Sequence, residues 1–167
     1  MKAATVISVT AAESSESVGG SGHAGYRAMH LLIDAAIPPT PVFRTAATER
    51  QYMAFLGDRL RRWLEATPPR VGMTAIQPPI VVVREKIVSG YILLAESHIA
   101  AHLDYETMVA HLDIFGCREF EAGVIVGSVE RELKLAVVQS RVVDRGLEYL
   151  AHSGHDVAET AAIGGLP

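Results

Sequence analysis

The chain has 167 residues, with 15 Lys and Arg against 19 Asp and Glu, a net charge of −4 and a single cysteine. This length fits one domain and excludes a multidomain enzyme with a separate cofactor domain. One cysteine excludes an internal disulfide and a cysteine-built zinc site, and the negative net charge argues against a nucleic-acid binder.

The two ends of the chain have the composition of flexible tails. Residues 13–25 contain one sizeable apolar side chain and cannot pack into a core. We therefore expect a tail over residues 1–25, a domain over 26–150 and a second tail over 151–167. No apolar run approaches the ~18–20 residues that span a bilayer, and the first twelve residues are too weak for a signal peptide. These features predict a soluble, cytoplasmic protein without a membrane partner.

A helical pattern follows a first predicted strand, Tyr26–Ile33, and a proline-rich break. Between Ala46 and Glu65, apolar residues recur at steps of three and four, which is typical of an amphipathic helix. The buried stripe consists of Met53, Leu56, Leu60, Trp63 and Leu64. We expect this stripe to cover a sheet rather than to bind a partner, and we expect Pro68-Pro69 to end the helix.

Short apolar runs after this helix predict an antiparallel meander. The predicted strands cover residues 71–76 together with 80–83, 87–95, 97–103, 108–115 and 136–143, and a second helix covers 120–135. Helices separated by a block of strands, without βαβ alternation, predict an α+β fold. The expected architecture is a two-layer sandwich, with an antiparallel β-sheet and helices packed on one face.

Two local patterns resemble binding sites but lack the required context. The run GGSG at residues 19–22 has neither the flanking strand and helix of a nucleotide loop nor its lysine. His98 and His102 have the spacing of metal ligands on a helix. On a strand, however, their side chains lie ~13 Å apart, which is too far for one ion. We therefore predict no metal site.

The triplet Glu96-Ser97-His98 lies where the meander turns. Polar triplets usually serve as turn residues, and the residues alone leave that interpretation open. Other reactive side chains stand at fixed offsets from Ser97: Ser89, His102, Glu106 and Cys117, which follows Asp113-Ile114-Phe115-Gly116. With this pattern, the stretch from Tyr26 to Gly146 resembles the prokaryotic S-adenosylmethionine decarboxylase proenzymes, which are pyruvoyl-dependent and carry a Glu-Ser-His cleavage motif.

The resemblance implies that the chain cleaves itself between Glu96 and Ser97 into chains 1–96 and 97–167. Ser97 matches the serine that becomes the pyruvoyl group, so the cofactor would be self-generated. Ser89 and His102 match the family's processing serine and histidine. A hydroxyl and an imidazole suit this role because they stabilise a tetrahedral intermediate and move protons.

The resemblance also implies the later chemistry and the assembly. A pyruvoyl group forms a Schiff base with the substrate amine and acts as an electron sink. Cys117 matches the cysteine that returns a proton to carbon, for which a thiol is suitable near neutral pH. Glu106 matches the glutamate associated with the substrate ribose. The family's short protomers are homodimers with the active site at the interface, and their product is the aminopropyl donor of polyamine synthesis.

Departures from the family pattern leave alternatives open. Residues 102–106 read His-Leu-Asp-Tyr-Glu where the family commonly has His-Thr-Trp-Pro-Glu, and residues 80–85 lack the family's adenine-contacting aromatic residue. Tyr91 or Tyr105 are candidates for a replacement. An alternative substrate is arginine or ornithine, with Asp104 or Glu106 pairing with the distal cation. A second alternative is a non-catalytic paralogue that regulates an active enzyme.

Overall fold

A computed structural model describes residues 27–39, 41–42 and 44–146. The predicted tails, residues 1–25 and 151–167, lie outside the described residues. The elements in chain order are β1 (Arg27–Ala36), α1 (Ala46–Arg70), β2 (Ile80–Arg84), β3 (Ile87–Leu94), β4 (Ser97–Asp104), β5 (Val109–Gly116), α2 (Ala122–Ser128), a π-helical continuation (Val129–Leu133) and β6 (Ala136–Gly146). None of the helices within the described residues combines the length and the apolar character that a bilayer crossing requires.

The six strands of the described residues form one antiparallel sheet in the order β2-β3-β4-β5-β1-β6. Alternate side chains of each strand point to the same core, which α1 and α2 cover from one side. The prediction of an α+β two-layer sandwich is thus confirmed. The strand predicted over residues 71–76 is wrong, because only Ala75 forms an isolated bridge with Leu94 before Pro78-Pro79 interrupt the chain.

Helix α1 begins at a threonine cap and ends later than its prolines suggest. The Thr45 hydroxyl accepts a hydrogen bond from the Thr48 N–H at 3.2 Å. Pro68 and Pro69 lie inside the last turn, so the predicted end of the helix is wrong by about one turn. At this end the Pro68 carbonyl accepts hydrogen bonds from the N–H groups of Val71 and Met73, which satisfies one of the terminal carbonyls of the helix.

The buried stripe of α1 packs on the sheet as predicted, and its centre is Trp63. The indole N–H donates to the Ser128 hydroxyl at 2.9 Å, and that hydroxyl donates to the Ile125 carbonyl at 2.7 Å. This chain of hydrogen bonds joins α1 to α2 inside the core.

We expect Trp63→Phe to lower the free energy of unfolding by about 1–3 kcal/mol, because it leaves a cavity and removes the buried donor to Ser128. Urea denaturation of the uncleaved Ser97→Ala protein measures this loss without the complication of two chains. A change below about 0.5 kcal/mol, the range of ordinary surface substitutions, would show that the indole bond does not join the two helices.

The other side of the sheet, which we call the open face, carries both polar and apolar side chains. Neither helix of the described residues packs on it. Its members include His98 and His102 on β4, His111, Asp113 and Phe115 on β5, His30 and Asp34 on β1, and Ser89, Tyr91 and Leu93 on β3. Val82 is 58% exposed there and Tyr91 is 41% exposed. Such an apolar surface with interspersed polar groups is typical of a protein–protein interface.

Candidate active site

The predicted cleavage point lies in the tight turn between β3 and β4. Leu94 pairs with Ser97, so Ala95 and Glu96 alone make the connection. Ser97 has a φ of +152°, a region that residues with a side chain rarely adopt. Backbone strain of this kind typically costs ~1–3 kcal/mol and persists only where the surrounding structure holds it in place. The strained residue is the one that the sequence marks for cleavage.

The residue directly after strand β5 holds the carbonyl group of the Glu96–Ser97 bond. Ser97 pairs with Gly116, the last residue of β5, so Cys117, which follows that strand, lies opposite Glu96. The backbone N–H of Cys117 donates to the Glu96 carbonyl oxygen at 3.0 Å. The Cys117 thiol is half-buried and free. A Cβ at Gly116 would lie 2.7 Å from Met73 Cε, so the flexible end of that methionine would have to shift to make room for a side chain.

The side chain of Glu96 is held from the opposite side of the turn. The Thr74 N–H donates to Glu96 Oε2 at 2.9 Å, and Arg118 Nη1 lies 3.9 Å from Oε1. Thr74 also accepts a hydrogen bond from the Ala95 N–H at 2.9 Å, so the segment after α1 is fastened to the turn. The Thr74 backbone N–H lowers the pKa of Glu96, so the side chain is a carboxylate at neutral pH.

We expect Glu96→Gln to slow self-cleavage roughly 3- to 10-fold, because a weaker acceptor holds the strained turn less firmly. In the unsubstituted chain the same loss is expected on acidification. The pKa of Glu96 is lowered in the folded chain, so the carboxylate contact is complete at pH values above the ordinary pKa of glutamate. The contact is lost as the pH falls through the lowered pKa of Glu96. A time course of cleavage after cell-free synthesis measures both effects. Glu130→Gln, at an exposed carboxylate, is the control, and equal rates for the two variants would contradict the assignment.

His98, a member of the Glu-Ser-His triplet and a rejected metal ligand, contacts Ser97 directly. Its Nδ1 lies 3.1 Å from the Ser97 hydroxyl oxygen. The imidazole meets the Phe115 ring edge-on, with centroids 5.9 Å apart. Phe115 is in turn flanked by Arg145, whose Cζ lies 4.9 Å from the ring centroid, and by the ring of His30 at 5.5 Å. The adjacency of Ser97 and His98 in sequence was the signal for this contact.

Ser89 and His102 form the second predicted pair. They are directly opposite on β3 and β4, and the Ser89 hydroxyl and His102 Nδ1 are 2.8 Å apart. His102, however, lies five residues along β4 from Ser97, a distance of ~16 Å on a strand. The structure therefore brings together Glu96, Ser97 and Cys117, and separately Ser89 and His102, but it does not join the two groups within one protomer.

The turn between β4 and β5 carries the predicted substrate residues, at the far end of β4 from Ser97. Asp104 Oδ1 accepts hydrogen bonds from the N–H groups of Glu106 at 2.8 Å and Thr107 at 3.2 Å, and the first of these contributes most to lowering the pKa of Asp104. Glu106 itself is exposed. Tyr105 packs against the core beneath α1, and burial raises its pKa to about 12. Of the two tyrosines considered for the adenine, only Tyr91 lies on the open face.

The cavities on the helix side do not contain the predicted site. A cleft of about 500 Å³ between the start of α1 and the β2–β3 turn is lined by Ala46, Glu49, Arg50, Met53, Ala54, Val83, Glu85 and Lys86. None of these is a predicted site residue. Within the described residues, no group of three or more His, Cys, Asp or Glu side chains is arranged to hold a metal ion. The reactive groups are instead distributed along the turn and the open face.

Comparison with known proteins assigns the family. The model of the S-adenosylmethionine decarboxylase family matches residues 56–146, which is more than half of the chain. The fold is similar to the crystal structure of the adenosylmethionine decarboxylase from Aquifex aeolicus, with a TM-score of 0.52 and 20% identity, over 74% of this chain and 93% of that one. No curated protein matches the chain. The family match spans the strained turn and both reactive groups, and the chain belongs to the S-adenosylmethionine decarboxylase family.

Proposed function

We propose that this chain is a self-processing, pyruvoyl-dependent decarboxylase of S-adenosylmethionine, which acts in the cytoplasm and supplies the aminopropyl donor for polyamine synthesis. The observation that carries the proposal is the arrangement at the Glu96–Ser97 bond. The carbonyl oxygen already accepts a hydrogen bond from the Cys117 N–H, and the backbone of Ser97 is strained. A donor 2.7–3.1 Å from an oxygen that gains negative charge is the basis of an oxyanion hole.

Self-cleavage uses only the chain and one water molecule. The Ser97 hydroxyl attacks the Glu96 carbonyl carbon, the C–N bond breaks, and the amide becomes an ester with a free Ser97 amine. Removal of the Ser97 Cα proton then breaks the Cβ–O bond, which releases the Glu96 carboxylate and leaves dehydroalanine. Dehydroalanine rearranges to an imine, and water hydrolyses the imine to the pyruvoyl group and ammonia. The strain at Ser97 is released when the peptide bond is lost.

The separation of the two reactive groups supports a homodimer through the open face. A two-fold axis that passes near Ala100, between the Ser97 group and the His102 group, would place Ser97 of each copy over His102 of the other copy. A two-fold interface is self-complementary in this way. The exposed apolar side chains of Val82, Tyr91 and Leu93 would be buried there. In this arrangement each site takes Ser97 and Cys117 from one copy, and Ser89, His102 and Glu106 from its partner.

In the finished enzyme, the pyruvoyl group supplies an electron sink for the electrons left when CO2 departs. The chain's own residues orient the substrate and move protons. Cys117 is the proposed donor of a proton to the substrate carbon. It follows Gly116, the residue paired with Ser97, and its thiol is free. Glu106 is the proposed contact for the ribose hydroxyls, and its exposure leaves the carboxylate available to a partner site.

We expect Cys117→Ala to leave self-cleavage nearly unchanged and to lower kcat for decarboxylation by ~10²- to 10⁴-fold, because only the backbone N–H of this residue serves cleavage. Intact mass measures the first effect and labelled CO2 release measures the second. Cys117→Ser retains a weaker donor and should lie between the two. Normal decarboxylation by Cys117→Ala would show that the thiol only packs against its neighbours and does not donate the proton.

Intact-mass measurement followed by a substrate panel tests the proposed function. Two fragments, cut between residues 96 and 97, are expected instead of the single 17.9 kDa species of an uncleaved, non-catalytic paralogue. Release of CO2 is then measured from labelled S-adenosylmethionine, arginine and ornithine. Turnover of arginine or ornithine alone would overturn the substrate assignment. The structure weakens that alternative, because Asp104, one of its two proposed carboxylates, is engaged in the β4–β5 turn.

A further inference from the structure

The first step of self-cleavage needs a base that touches the Ser97 hydroxyl. A serine hydroxyl is a weak nucleophile until a neighbouring group accepts its proton. The processing histidine of the resemblance, His102, lies ~16 Å along β4 in the same copy. His98 is already in contact, with Nδ1 3.1 Å from Ser97 Oγ. This contact lies within one copy of the chain and does not depend on how two copies assemble.

The surroundings of His98 fix its ring relative to Ser97. Its side chain is half-buried at the start of β4, and the edge-on contact with Phe115 limits rotation of the imidazole. Arg145 and His30 contact the same Phe115 ring, so that ring is itself held in place. His30 Nε2 lies 3.3 Å from Asp113 Oδ1, outside hydrogen-bond geometry. The cluster thus orients His98 through contacts between rings.

We infer that His98 is the base for the first step of self-cleavage, an inference that rests on the proposed function and deepens it. The Ser97 Oγ proton moves to His98 Nδ1 as the Oγ bonds to the Glu96 carbonyl carbon. The Cys117 N–H holds the resulting oxyanion. When the C–N bond breaks, His98 returns the same proton to the departing Ser97 nitrogen. The step needs no other reactant, because the proton leaves and returns within one residue pair.

This assignment divides the work between two histidines. His98 serves the conversion of amide to ester, which must occur at Ser97 of its own copy. His102 of the partner copy then serves the removal of the Ser97 Cα proton, which follows ester formation. The two steps leave chemically different precursors when they fail. An amide resists dilute hydroxylamine at neutral pH, whereas an ester is cut by it.

The experiment compares the unsubstituted chain with His98→Gln and His102→Gln, with and without hydroxylamine, by intact mass. Glutamine keeps a hydrogen bond to Ser97 but cannot take up its proton. We expect His98→Gln to cleave ~10²-fold more slowly or worse, and its precursor to resist hydroxylamine. The His102→Gln precursor is expected to be cut by hydroxylamine at residue 96. Free imidazole is expected to accelerate His98→Ala, which has room for it, but not His98→Gln.

The outcomes separate this inference from the proposed function. If the unsubstituted chain remains uncleaved, the proposed function fails and the inference fails with it. If the unsubstituted chain cleaves and His98→Gln cleaves at the same rate, only the inference is overturned. The same holds if the His98→Gln precursor is cut by hydroxylamine, because an ester then forms without the imidazole. Urea unfolding of each precursor serves as the folding control.

Discussion

Replacement of Ser97 by alanine is expected to abolish both self-cleavage and decarboxylation. Alanine has no hydroxyl to attack the Glu96 carbonyl, so the amide remains and no pyruvoyl group forms. The backbone contacts around the turn do not use the hydroxyl, and the fold should therefore be retained. The Cys117 N–H and the Thr74 N–H keep their bonds to Glu96. The loss is therefore chemical and not a consequence of unfolding.

Intact mass and labelled CO2 release measure this prediction on the purified variant. A single species near 17.9 kDa and CO2 release at the uncatalysed rate are expected. Ser140→Ala, on β6 at a distance from the turn, is the matched control and should cleave normally. Ser97→Cys restores a nucleophile and should regain partial cleavage. Two fragments from Ser97→Ala would contradict the assigned cleavage point, and normal CO2 release from the uncleaved chain would contradict the pyruvoyl dependence.

Local sequence patterns predict most of the architecture because each element has its own period. The α1 stripe and the alternation in β3, β4 and β5 are short-range signals, and they place the elements to within a few residues. The errors occur where local and tertiary preferences differ. Pro68-Pro69 remain in the helix because only its last turn is affected, and residues 74–76 pair with the end of β3 without extending into a strand.

The candidate site is only partly predictable because its contacts join distant segments. No local pattern links Thr74 or Arg118 to Glu96, since sheet pairing and the end of α1 bring them together. The hydrogen bond from the Glu106 N–H to the Asp104 side chain is different, because it is a short-range contact. An aspartate directly before a four-residue turn predicts it from sequence. The spacing of His102 from Ser97 was available from the sequence. The rise per residue along a strand, which keeps His98 and His102 too far apart for one metal ion, also keeps Ser97 and His102 apart.

That separation leads to the prediction with the second largest effect, which concerns two inactive chains expressed together. Ser97→Ala lacks the nucleophile, and His102→Ala lacks the base for elimination. Each variant alone is expected to give no pyruvoyl group. In a mixed dimer, Ser97 of the His102→Ala chain meets the intact His102 of the Ser97→Ala chain. One complete site therefore forms in each mixed dimer, while its second site lacks both groups.

We expect cleavage of the His102→Ala chain alone, and of roughly half of its copies when equal amounts assemble at random in two-fold dimers. Different affinity tags on the two chains identify which one is cut, by intact mass, and CO2 release should return with it. Co-expression of Ser97→Ala with Ser97→Gly is the control, because neither chain supplies a nucleophile. If co-expression restores nothing although mixed dimers are recovered, each site takes its groups from a single copy. The ~16 Å between Ser97 and His102 would then have to close by a rearrangement of β4 itself, which its pairing with β3 and β5 along its whole length opposes.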